Sequence, residues 1–356
     1  MKKSRVEPFE FAGHKIELGE TLDTRLPLTQ TYSGANLTIP VRIMRGAEPG
    51  PALFVLGAIH GDEINGAGVV REIILDEAFQ LSAGTLLLAP VINAFGYERH
   101  SRYLPDRRDL NRHFPGFESG SPASRLAHAV FAEIVSKCDY GVDLHTAAVR
   151  RTNFPNVRAD LSRPEIESFA WAFGCELVVN GKGPKGSLRR TACRAGRPTI
   201  ILEAGEVWKI EPRVVEVGVR GVRNALIHLG MMEGKLALPA YQARVDKTKW
   251  LRADYGGILQ FHVAPGDVVE AEQPLATNSN LLGKERNVLY SPFDGVILGM
   301  TTIPVVTPGD PVCHVALPAD GIAQIRKALR RGSDQSLHER LREDLATNIS
   351  VSERLE

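Results

Sequence analysis

The sequence is short of the features that mark disulfide-built, membrane-spanning or nucleic-acid-binding proteins. Only four cysteines occur in 356 residues, Cys138, Cys175, Cys193 and Cys313, and none form a CxxC pair. That density is too low for a secreted disulfide framework, so buried thiols are expected. Charge of neither sign is in excess: 43 Lys and Arg face 42 Asp and Glu. A near-neutral chain has no broad field to draw a nucleic acid or an anionic lipid surface, and neither is expected as a partner. The longest apolar stretches, around Leu53 to Ile59 and Leu86 to Ile92, fall far short of the roughly 20 residues that cross a bilayer. The N-terminus is basic but has no apolar h-region behind it, so the expected location is cytoplasmic. Oligomeric state is not legible, and a homo-oligomer is compatible with all of this.

What is present is an alternation. From Ala52 to about Gly205, β-rich runs (ALFVLGA, TLLLAPVI, YGVDLHT, ELVVN, TIILEAG) alternate with helix-like stretches such as Ile64 to Phe79 and Ala123 to Lys137. This predicts an α/β fold with a mixed, largely parallel sheet covered by helices, because runs so continuous in Val, Ile and Leu suit strands buried on both faces. Sheets of this kind hold ligands beyond the carboxyl ends of their strands. The first fifty residues read as a β-rich lead-in with no assignable chemistry. After Lys235 the segments VAPGDVV, from Val263, and VTPGDPV, from Val306, echo one another. The repeated turn predicts a small all-β C-terminal domain resembling a barrel-sandwich hybrid, as in biotinyl and lipoyl domains. Those carriers modify a lysine at an exposed hairpin tip, for which only Lys284 offers itself; a packed accessory domain is the other reading. The division expected is 1–238, 239–318 and a charged, partly helical tail, 319–356, solvated and frayed beyond Gly332.

Chemistry concentrates at strand ends. Gly57-Ala-Ile-His60-Gly-Asp-Glu63 sets an imidazole and a carboxylate three residues apart where a strand hands over to a helix. Such a pair can grip one cation, and zinc suits mixed nitrogen and oxygen donors. The spacing alone arises by chance on the order of once in a chain of this size; the position gives it weight. His145, ending GVDLH, would complete a His2Glu set, although a strand-end histidine can equally be a core residue donating to a carbonyl. Asp62 belongs to the turn, since three adjacent donors would crowd one ion. Between them lies Arg102-Tyr-Leu-Pro-Asp-Arg-Arg-Asp109-Leu-Asn111-Arg112-His113, whose guanidinium groups suit a planar anion, with Arg107 and Arg108 read as exposed. Thr199-Ile-Ile-Leu-Glu203-Ala-Gly-Glu206 closes another apolar strand. A carboxylate there is expected to be partly desolvated and suited to proton transfer, a role for which Glu203 and Glu206 compete.

In this order, HGDE, RYLPDRRDLNRHFPG, DLH and ILEAGE resemble the succinylglutamate desuccinylase/aspartoacylase family of the zinc carboxypeptidase superfamily, strongly over about Leu53 to Glu206 and loosely beyond. The resemblance implies a zinc-hydrolase catalytic domain over 1–238, with 239–318 walling the active site. It implies one Zn2+ ion per chain on His60, Glu63 and His145, with Glu203 as general base and acid and Arg102 beside the scissile carbonyl. It further implies Asn111 and Arg112 as the clamp for the substrate carboxylate, and Asp109 as the partner holding a zinc-bound imidazole by its other nitrogen. Tyr290 best matches the tyrosine that the family sends from its C-terminal domain, though a tyrosine before a turn can simply be packed. Basic residues before the catalytic glutamate recognise the rest of the substrate, and Arg189, Arg190, Arg194 and Arg197 all qualify. The implied activity is deacylation of an N-acyl amino acid or a related small amide. A carboxypeptidase acting on a short peptide and a non-catalytic binding or carrier protein are the competing readings.

Overall fold

The computed structural model describes residues 7–31, 33–331, 336–346, 349 and 351. Its centre is a 12-stranded sheet. From one edge to the other the strands are Val268–Val269, Gly295–Thr301, Pro311–Pro318, Ala243–Arg252, Leu177–Asn180, Arg151–Ala159, Thr199–Gly205, Tyr140–His145, Glu48–Gly57, Ala83–Ala89, Asn36–Arg45 and Thr21–Gln30. The middle carries the expected parallel pairs: Thr199–Gly205 with Tyr140–His145, and Glu48–Gly57 with both Tyr140–His145 and Ala83–Ala89. Both flanks are antiparallel, as are the pairs of Arg151–Ala159 with Thr199–Gly205 and with Gly295–Thr301. The sheet is therefore mixed rather than largely parallel. The lead-in supplies an antiparallel edge hairpin, and the C-terminal strands extend the other end.

Side chains of successive strand residues point to opposite faces, and the core follows that rule. Leu53 and Val55 join one buried cluster while Phe54 and Leu56 join another; Leu86 and Leu88 separate from Leu87 and Ala89 in the same way. Helices Asn65–Leu75, Pro164–Phe173 and Pro212–His228 cover the first face, and Pro122–Glu133 the second. The helix Pro122–Glu133 starts where the sequence permits, with Ser121 accepting from Ser124 N and proline at its first position. All four cysteines are free and buried, as expected. No helix among the described residues is long and apolar enough to cross a membrane.

The C-terminal β-rich part is not a detached sheet. Strand Ala243–Arg252 pairs in parallel with Leu177–Asn180, and Gly295–Thr301 pairs with Arg151–Ala159, so this part is hydrogen-bonded into the central sheet at two places. A second sheet of four strands, Glu285–Tyr290, Pro274–Ser279, Gly257–Phe261 and Val305–Val306, packs with it around a separate small core. The tail also departs from a solvated run. Beyond the helix Ala323–Leu329, the helix Leu337–Ala346 buries Leu341 and Leu345 in the main core and pairs Arg340 with Glu216 and Arg342 with Asp267. Part of the stretch expected to fray, including 332–335 and 352–356, lies outside the described residues.

Candidate active site

The strand Glu48–Gly57 ends in a turn that starts with Ala58 at φ +47°, a left-handed conformation that costs free energy for a residue with a side chain. The turn is held against the next loop by Asn93 N donating to the Ala58 carbonyl. Gly61 is required there: a Cβ would fall 1.9 Å from the Gly96 carbonyl carbon. The result brings His60 and Glu63 together, with His60 Nδ1 2.6 Å from Glu63 Oε1. His145, at the end of its own strand, lies with Nδ1 2.9 Å from Glu63 Oε2. Ligand atoms of His60, Glu63 and His145 all fall within 4.8 Å of one another, and the three residues are buried. Asp62 stays out of this cluster, as expected, although it is buried too.

Each imidazole is gripped from behind. Asp109 Oδ1 lies 3.1 Å from His60 Nε2, and Asp143 Oδ2 lies 2.9 Å from His145 Nε2. A carboxylate on Nε2 fixes the tautomer that turns the Nδ1 lone pair forward, the arrangement that metal-binding histidines use. Asp143 was not singled out from sequence, yet it lies two residues before His145 on one strand and therefore on the same face. Burial pushes both imidazoles down, but the Glu63 charge and the two aspartates outweigh it: His60 is raised, and His145 well above its ordinary value. Burial likewise resists ionisation of Glu63, yet the two histidines hold its carboxyl far below the usual range. Arg102 Nη1 adds a further cation 3.1 Å from Glu63 Oε1, with its Nη2 3.0 Å from Asp109 Oδ2. Positive charge converges on one buried carboxylate from three sides. Two neutral imidazoles and that carboxylate form a donor set that fits a divalent cation of the zinc type, which would displace the protons the Nδ1 atoms otherwise carry.

Glu203 and His145 are direct partners in the parallel register of adjacent strands, so both project beyond the same sheet edge. Glu203 is partly exposed, with Oε2 accepting from Asn153 Nδ2 at 3.2 Å and Oε1 3.6 Å from Arg158 Nε. Glu206 instead pairs with Lys209 and accepts from the Thr302 hydroxyl, which removes it from the competition. Asn111 is buried, Oδ1 accepting from Leu188 N and Nδ2 3.4 Å from His145 Nε2. Arg112 extends beside it, half exposed, held by the Asn111 carbonyl.

These groups meet at a cavity of about 330 Å3 lined by His60, Glu63, Arg102, Asn111, Arg112, His145 and Glu203. Asp109 stands behind His60 rather than in the lining. Of the four arginines left open, only Arg189 reaches the cavity; Arg190 bonds the Gly183 carbonyl, Arg194 is exposed and Arg197 pairs with Asp139. His113 donates to the Asp109 carbonyl and supports the loop. Tyr290 is a correction. It is 44% exposed at the end of its strand, opposite Pro274, and does not line the cavity. The C-terminal part reaches the site with Trp250 and His314 instead, register partners on adjacent strands, and the strand Arg151–Ala159 adds Arg151, Asn153 and Arg158. Burial, with Arg158 and Arg151 nearby, pushes His314 down to about 4.

The family model for the succinylglutamate desuccinylase/aspartoacylase catalytic domain matches residues 49–229, which contain every metal-directed group above. The chain belongs to this family. Among its relatives is the N-alpha-acetyl-L-2,4-diaminobutyric acid deacetylase of Halomonas elongata, 27% identical over 266 residues, covering 71% of this chain and 77% of that protein. The family fold recurs in a succinylglutamate desuccinylase/aspartoacylase from Rhodobacter sphaeroides, at TM-score 0.72 and 24% identity, covering 83% of this chain and 95% of the other. It recurs again in the product-bound ectoine utilization protein EutE (DoeB) from Ruegeria pomeroyi, at TM-score 0.72 and 22% identity, with 88% and 99% covered.

Proposed function

We propose that this chain hydrolyses the amide bond of an N-acyl amino acid, or of a related small substrate bearing a carboxylate, using one zinc ion held by His60, Glu63 and His145. The observation that carries the reading is the convergence of those three donors on the wall of a cavity that also presents Glu203, a carboxylate outside the donor set. When bound, zinc polarises a carbonyl and lowers the pKa of its water to about 7.

The protein's own groups do the remainder. Glu203 takes the proton of the attacking water and returns it to the leaving amine, its carboxylate oriented by Asn153 and Arg158. Arg102, fixed by Glu63 and Asp109, faces the negative charge that develops on the carbonyl oxygen. Arg112 and Asn111 bind the substrate carboxylate, for which a guanidinium offers two parallel donors. A volume of about 330 Å3 walled by Trp250 and His314 suits a small acylated amino acid better than an extended peptide, which favours the deacylase over the carboxypeptidase. Lys284 does sit in the turn of an exposed hairpin, but family membership favours a catalytic chain over a carrier.

The test is a panel of N-acetyl, N-succinyl and dipeptide substrates with zinc-loaded protein. Glu203→Gln is expected to keep its zinc and lose about 10² to 10⁴ in turnover. Equal product from parent and variant would mean that the activity does not belong to this site, and a chain that binds no zinc would favour a binding protein.

A further inference from the structure

A second cavity, of about 240 Å3, lies apart from the metal-directed groups and shares no lining residue with their cavity. It forms where the start of the strand Leu177–Asn180, the helix Pro212–His228, the connecting segment 238–241 and the two tail helices meet. Leu238, Leu329 and Leu337 give it apolar walls. Among them stand Glu176, Arg220, Tyr241 and His338.

The polar atoms of these four are poorly matched to one another. Glu176 is buried, and among the described residues the one basic atom that comes within 4.0 Å of its carboxylate is His338 Nδ1, at 4.0 Å. His338 is 7% exposed, and its Nδ1 has no hydrogen-bond partner among the described residues. The buried Tyr241 hydroxyl has none either. Arg220 donates from Nη2 to the Gly174 carbonyl at 3.0 Å, but its buried Nε has no partner and no ion pair joins it to a described carboxylate. The cluster is packed all the same: the His338 ring sits edge-on to Phe154 and to Tyr241, with centroids 5.2 and 6.0 Å away. Buried polar atoms left without partners cost free energy unless something between them supplies the missing bonds.

The unmatched atoms define what that something is. Burial, with Arg342 nearby, pushes His338 down to about 4, so its imidazole is neutral at pH 7 and Nδ1 can accept. Burial raises Glu176 and Arg220 opposes it, a balance that a bound cation would tip toward the carboxylate. A carboxylate, an imidazole nitrogen and a phenol oxygen make three acceptors, the number that a primary ammonium fills. Arg220 adds the opposite charge to the same cavity and suits a carboxylate. Water alone would serve the neutral atoms and leave both charges without counterions. The volume lies below the roughly 300 to 1,000 Å3 of pockets for drug-sized ligands, so the occupant is small.

We infer that this cavity binds a small free amino acid with an aliphatic or absent side chain, its ammonium held by Glu176, His338 and Tyr241 and its carboxylate by Arg220. The inference stands without the deacylase reading. Hydrolysis would release an amino acid at the metal cavity too, so the test keeps the two sites apart.

Calorimetry on the full chain is run with glycine, L-alanine, L-valine and L-leucine. Saturable binding of at least one is expected, and it persists in Arg112→Ala, which disables the carboxylate clamp of the metal cavity. It weakens about 10- to 100-fold in Glu176→Gln, as for loss of a hydrogen bond between charged groups, and about 2- to 10-fold in Tyr241→Phe. The amine and the acid that correspond to the tightest binder, isobutylamine and isovalerate in the case of L-valine, each bind at least about tenfold more weakly. Tyr241→Phe removes a single oxygen and keeps the test decisive should Glu176→Gln fail to fold. The inference is overturned by no saturable binding of any of the four, by binding lost in Arg112→Ala, by binding indifferent to the Glu176 and Tyr241 substitutions, or by an amine that binds as well as its amino acid.

Discussion

Asp143→Asn is the sharpest probe of how the site is built. Asp143 is fully buried, and its Oδ2 lies 2.9 Å from His145 Nε2 while Oδ1 has no hydrogen-bond partner among the described residues. Its one hydrogen-bonding contact is therefore with the imidazole. Two unit charges about 4 Å apart interact by ~4 kcal/mol at an effective dielectric of about 20, which is a ceiling. Asparagine keeps an oxygen that can accept from Nε2, so the tautomer survives and only the charge is lost. Partners of this kind contribute about 10- to 100-fold in metal affinity, or ~1.4 to 2.8 kcal/mol. Competition against a chromophoric chelator should show zinc binding weakened by that factor, with turnover near parental once zinc is saturating. Asp109→Asn should cost less, because Asp109 is partly exposed and divides its carboxylate between His60 and Arg102. Parental zinc affinity in Asp143→Asn would refute the claim that this carboxylate tunes the ligand.

Arg102→Ala should fold and, at saturating zinc, turn over about 10² to 10³ more slowly, as for loss of an oxyanion donor; near-parental kcat would remove Arg102 from the mechanism. Acid stability offers a test remote from the metal. Burial, with Arg342 nearby, pushes His338 down to about 4, while the unfolded chain takes up that proton near the ordinary value of about 6.5. The unfolded state thus binds more protons between those values, and this histidine costs stability as pH falls from about 6.5 toward 4. His338→Asn should flatten that part of a plot of unfolding midpoint against pH; an unchanged acid limb would show that His338 does not titrate as its burial implies.

The candidate metal-binding residues were legible because each lies at or just beyond the end of a strand. His60 and Glu63 share one turn, and His145 and Glu203 close apolar runs that the fold then sets side by side. Asp143 could have been found from the two-residue period of its strand. The far wall could not. Arg151 meets Trp250 only because Thr301 pairs with Arg151 and His314 pairs with Trp250, contacts between residues far apart in sequence that leave no local pattern. Tyr290 failed for the complementary reason: a local turn motif matched, but the strand pairing carried the ring to solvent. The largely parallel sheet was read from the buried runs between Ala52 and Gly205, whereas antiparallel flank strands come from segments on either side of that stretch and leave many positions exposed.

The two seams at Leu177–Asn180 and Arg151–Ala159 have a mechanical consequence. Swinging the C-terminal part clear of the central sheet would mean breaking backbone ladders at two places, and cutting the chain near residue 238 would bare the raw edge of Leu177–Asn180, inviting other chains to pair with it.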